Sequence, residues 1–81
     1  MILIKPLMTE KSVKMIEIEN KIVFIVDRRA SRDEIKNEFE KTFDAKVKSV
    51  NTHIKKNLKI AFIKLKGENA AANVATKLGL M

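Results

Sequence analysis

Residues 46–66 read KVKSVNTHIKKNLKIAFIKLK, and the fold turns on how the two halves of this stretch pair. In the second half, Leu58 to Leu65, both alternating sets of positions are apolar, with Ile60 and Phe62 on one side and Ala61, Ile63 and Leu65 on the other. A strand of that kind needs cover on both faces, so it belongs inside a sheet. The first half, Val47 to Ile54, is more polar. The two meet at Ile54-Lys55-Lys56-Asn57-Leu58, where Asn57 tolerates the left-handed backbone of a tight reversal, which predicts a hairpin with a cationic tip.

Working outward, Lys21 to Asp27 (KIVFIVD) is a second strand apolar on both sides and therefore central. Between it and the hairpin, Ser31-Arg32-Asp33-Glu34 is a capping-box pattern. It opens a helix to about Asp44, with Ile35, Phe39, Thr42 and Phe43 as its apolar stripe and Lys36, Asn37, Glu38, Glu40 and Lys41 facing water. Upstream, residues 2–5 form a brief edge strand stopped by Pro6, and Thr9 caps a short helix to about Glu17, with Glu10 in its first turn. Downstream of Gly67, a last helix from about Glu68 to Leu78 carries Ala71, Val74, Ala75 and Leu78 on its apolar side and stops at Gly79.

The element order is thus β-α-β-α-β-β-α. A strand, a crossover helix and a strand run parallel with a right-handed connection, and the doubly apolar strand from Leu58 fits between them, antiparallel to both. This predicts an α+β fold of split βαβ, ferredoxin-like type, with a mostly antiparallel sheet of order 1-2-4-3 and a short edge strand 1. The long helix is expected on one face and the other helices at least partly over the second. Residues 1–81 read as a single domain, because a chain of this length buries only about 60 to 65% of its unfolded surface and has room for one core.

Composition narrows the function. Apolar residues are 46% and charged residues 33% of the chain, too apolar for disorder and too charged for a membrane protein. Residues 1–7, broken by Lys5 and Pro6, do not form a secretory signal, and no membrane insertion is expected. The absence of cysteine excludes disulfides and thiolate metal sites. No P-loop, GxGxxG or nucleophile elbow occurs, and Asp33, Glu34, Glu38 and Glu40 read as helix surface and capping, so neither catalysis nor a cofactor is expected. His53, the sole histidine, has no metal-ligand spacing around it and reads as a surface or RNA-contacting residue.

Seventeen Lys and Arg against ten Asp and Glu give a net charge of +7, the signature of a domain that sits on a polyanion. The topology brings Arg28, Arg29, Arg32, Lys55, Lys56 and Lys59 to one end, beside the capped start of the long helix, a grouping suited to phosphate contacts. An RNA-recognition-motif reading lacks its stacking aromatics, since Tyr and Trp are absent and Phe24 and Phe62 read as core. A small ferredoxin-like hydrolase, acylphosphatase-like, needs a Gly-containing anion loop beside an arginine, and the chain has none. A free-standing RNA-binding module remains the other alternative.

Four blocks carry a resemblance. Pro6-Leu7-Met8-Thr9-Glu10-Lys11 is similar to the P-x-x-[ST]-E-K opening of the universal large-subunit ribosomal protein family called L-twenty-three. Residues 20–30 (NKIVFIVDRRA), Val50-Asn51-Thr52 and residues 59–65 (KIAFIKL) resemble its other blocks, in the same order and across essentially the whole chain. The resemblance implies a cytoplasmic protein of the large ribosomal subunit that binds the subunit's RNA at the peptide tunnel exit, beside neighbouring ribosomal proteins. It implies RNA contacts for Asn51, Thr52, Lys55 and Lys56. It also implies a docking role for Glu10, with Lys11, toward the signal recognition particle or other nascent-chain factors. Bacterial members carry a long loop between the hairpin strands; the few residues around Lys55 to Asn57 make this chain look like an archaeal member.

Overall fold

The computed structural model describes residues 2–79. Its elements are β1 (Leu3–Pro6), α1 (Glu10–Glu19), β2 (Lys21–Val26), α2 (Arg32–Phe43), β3 (Val47–Lys55), β4 (Leu58–Leu65) and α3 (Ala70–Leu78). The sheet order is β1-β2-β4-β3, with β4 antiparallel to both β2 and β3, as the doubly apolar pattern of β4 requires.

Local chemistry sets the helix ends. At α1, Thr9 Oγ1 accepts from the Ser12 amide at 3.1 Å, and Ser12 Oγ accepts from the Thr9 amide at 2.8 Å. At α2, Ser31 and Glu34 form the reciprocal pair expected from the sequence. At α3 no side chain within the helix start caps the first turn. The cap comes from Asn20 instead, whose Oδ1 accepts from the Ala71 amide at 2.8 Å while its Nδ2 donates to the carbonyls of Leu65 at 3.0 Å and Gly67 at 2.8 Å. Asn20 sits at φ 55°, a left-handed position that suits asparagine, and one side chain thereby joins the end of α1 to the β4–α3 connection.

The main core cluster lies on one face of the sheet, while Val23 and Ile25 of β2 are buried on the other. Ile22, Phe24 and Val26 of β2 and Ala61, Ile63 and Leu65 of β4 form a single cluster with Ile35 and Phe39 of α2 and Ala71, Val74 and Ala75 of α3. Phe24 meets Phe39 edge-on at 5.9 Å between ring centroids, and Phe43 stacks tilted against Phe39 at 4.7 Å. So α2 and α3 share a face, contrary to the expectation that they would divide between the two. On that face α3 packs against α1, β2 and β4, and its buried Ala71 and Ala75 let it lie close to the sheet. From α1, only Ile16 joins this cluster among the buried residues.

Several side chains depart from the pattern read from sequence. Thr42 is exposed and does not belong to the α2 stripe. Glu40 is half-buried, and its carboxylate accepts from the Val47 amide at 2.8 Å, where β3 begins. A register irregularity between Val47 and Ser49 bulges β3 at Lys48. Phe62, read as core, is only half-buried on the sheet face opposite the cluster.

Candidate nucleic-acid interface

The register fixes how the charged ends meet. Lys59 in β4 pairs with Val26 on one side and Ile54 on the other, so β2 and β3 finish at the same end of the sheet. Arg28 and Arg29 occupy the exposed turn after β2, and Lys55 and Lys56 occupy the hairpin turn two strands away, roughly 10 Å across the sheet at ~4.8 Å per strand. Asp27 shapes the arginine turn by accepting from the Arg29 amide at 2.9 Å. Among the described residues the only ion pairs are Lys14 with Glu10, at 3.8 Å, and Lys21 with Glu19, at 3.3 Å. The ammonium and guanidinium groups of Arg28, Arg29, Lys55 and Lys56 therefore have no carboxylate partner.

Other candidates are set differently. Lys59 is half-buried and its Nζ donates to the Ala30 carbonyl at 2.6 Å, so it ties the hairpin to the loop before α2. Arg32 is exposed but faces the outer edge of β3, in a groove shared with Lys36, Lys48 and Ser49. Asn51 and His53 lie on the sheet face that carries Phe62, Asn51 paired directly with Phe62 and His53 with Ile60. Thr52, paired with Ala61, points to the helix-covered face and is half-buried. Alternation along β3 thus separates Thr52 from its neighbours. Glu10 and Lys11 open α1 and are both exposed; Lys11 also lines a groove with His53 and Lys55.

The hairpin turn carries one conformational cost. Lys56 at φ 52° and Asn57 at φ 66° are both left-handed, as a two-residue reversal between paired Lys55 and Leu58 demands. Asparagine adopts that conformation readily; lysine does so at a penalty of about 1 kcal/mol or more. The turn keeps a lysine where asparagine or glycine would sit more comfortably.

A wider pattern in the sequence emerges once the strand bounds are drawn. The four strands contain Lys5, Lys21, Lys48, Lys55, Lys59 and Lys64 and not one carboxylate. Every aspartate and glutamate lies in a helix or a connection. The sheet is therefore cationic as a whole, and acidic residues such as Glu38 and Glu40 are gathered on the helical side.

Topology and surface define a class: small basic α+β proteins of split βαβ type with a carboxylate-free sheet and a cluster of unpaired cations at one end. Within that class the sequence matches the family described as Ribosomal protein L23 over residues 1–76. The large ribosomal subunit protein uL23 of Methanococcus aeolicus is 46% identical over 76 residues, covering 93% of this chain and 88% of the relative. That of Methanococcus vannielii has the same identity and coverage, and that of Picrophilus torridus is 44% identical over 78 residues, covering 96% and 95%. The chain belongs to this family of large-subunit ribosomal proteins, which are structural components and not enzymes. The archaeal relatives agree with the archaeal character read from the short hairpin turn. No helix among the described residues is long and apolar enough to cross a membrane.

Proposed function

We propose that residues 1–81 act as one ribosomal RNA-binding domain in the cytoplasm, holding large-subunit RNA near the peptide tunnel exit beside neighbouring ribosomal proteins and bearing at Glu10 and Lys11 a docking point for the signal recognition particle or another nascent-chain factor. The observation that carries the RNA part is the convergence of Arg28, Arg29, Lys55 and Lys56, none of them held in an ion pair, at the end where β2 and β3 finish. Such groups exchange condensed counterions for phosphates, which favours association and positions the protein without reading bases. Asn51 and His53 extend the surface along β3. Thr52 and Lys59 support it from beneath, Thr52 from the covered face and Lys59 through Ala30. Arg32 offers a contact at the β3 edge.

The experiment is filter binding of the chain to large-subunit RNA from its own cells across a salt series. Affinity is expected to fall steeply with salt, and Arg28→Ala, Arg29→Ala and Lys55→Ala each to reduce the log–log slope by about 1. Affinity indifferent to salt, or slopes unchanged in all three variants, would overturn the reading.

A further inference from the structure

Opposite the core, a groove of about 370 Å³ runs between the start of α1 and the sheet. Its floor is apolar, from Met15, Val23, Ile60 and Phe62, and its rim is polar, with Lys11, His53 and Lys55. Three of the chain's four phenylalanines, Phe24, Phe39 and Phe43, pack on one another; Phe62 is the exception. Its one aromatic neighbour is His53, perpendicular at 6.4 Å between centroids and itself exposed.

We infer that this groove takes one unpaired nucleobase of the RNA, laid against the Phe62 ring, with the adjoining phosphates between Lys11 and Lys55. The inference rests on the RNA-binding reading above and adds to it a base-accepting site that adjoins the cationic end through Lys55. Size fits, since the volume lies at the small end for ligand sites and suits a single planar group. Chemistry fits as well. A nucleobase has an apolar face for the ring and the aliphatic floor, a polar edge for the His53 imidazole, and flanking negative charge for the two ammonium groups. An apolar protein segment could use the floor, but it would meet lysines at the rim and no carboxylate anywhere on the sheet. That charge pattern favours a polyanion as occupant.

Stacking and phosphate contacts leave different traces, which makes the site testable. With large-subunit RNA from its own cells as probe, Phe62→Leu is expected to weaken binding roughly fivefold to a hundredfold, the range for loss of one base stack, with the log–log salt slope unchanged. Phe62→Tyr keeps an aromatic face and is expected to bind as the parent does, which separates stacking from a fold defect; denaturation midpoints of both variants check the fold directly. Ultraviolet cross-linking of intact large subunits is expected to join a nucleotide to the segment around Phe62 or His53. If the parent chain holds RNA with a normal salt slope and Phe62→Leu holds it equally well, the base site is wrong and the RNA reading stands. If Phe62 cross-links to a polypeptide, the occupant is a protein and the inference falls. If the parent chain holds no RNA, both fall.

Discussion

Replacing Lys56 by asparagine sets stability against binding at a single exposed position. The parent residue sits at φ 52° in the hairpin turn, where an L side chain other than asparagine or glycine costs about 1–2 kcal/mol. Asparagine tolerates that conformation, so Lys56→Asn is expected to recover roughly 1 kcal/mol, about 4 °C or more in Tm for a domain of this size. The same change removes one cation from the cluster with Arg28, Arg29 and Lys55. One phosphate contact contributes about 0.7 to 0.9 to the slope of log affinity on log salt, so over a fourfold rise in salt it is worth about threefold in affinity. The variant should thus be the more stable protein and the weaker RNA binder, with the affinity gap narrowing about threefold from 50 to 200 mM salt. Thermal unfolding of the free chain and filter binding to large-subunit RNA measure the two arms. A variant that is no more stable would remove the claim of backbone strain, and an unchanged salt slope would remove Lys56 from the interface.

Asn20→Ala loses three tertiary hydrogen bonds and a residue suited to φ 55°, so urea denaturation is expected to show a loss of about 3–5 kcal/mol, with Asn20→Gly, which keeps the backbone freedom, less affected. An Ala variant within 0.5 kcal/mol of the parent, on the order of an ordinary surface change, would contradict the clamp role. Glu10→Ala removes only an exposed side chain whose nearest cation, Lys14, is 3.8 Å away; RNA affinity should stay the same while recruitment of the signal recognition particle to ribosomes carrying the variant drops, and undiminished recruitment in a co-sedimentation assay would refute the docking role.

Strand order was legible because β2 and β4 are apolar at successive positions, which only a central place in the sheet explains, and because Ser31 and Glu34 mark the crossover helix unambiguously. Periodicity in a doubly apolar strand cannot say which face receives which helices. That is why Phe62 read as core and why α2 and α3 were assigned to opposite sides. The cationic end followed from topology and was legible in Arg28, Arg29, Lys55 and Lys56. Thr52 and Lys59 were not legible as inward and tethered residues, since the first depends on the register after the Lys48 bulge and the second on the Ala30 carbonyl 29 residues away. Asn20 read as a turn residue; its partners lie 45 to 51 residues downstream, beyond the reach of any local rule.

The bulge at Lys48 and the Glu40 bond to Val47 have a further consequence for a molecule made away from its assembly. At nine residues, β3 is the longest strand and forms one margin of the sheet, an open ladder that a second chain could extend. At its start, however, the Val47 amide is already taken, the next residue breaks the register and presents a lysine, and the far end closes on Lys55. Two copies approaching margin to margin would bring ammonium groups together and find the first donor occupied. An edge blunted in this way disfavours pairing of two copies through β3.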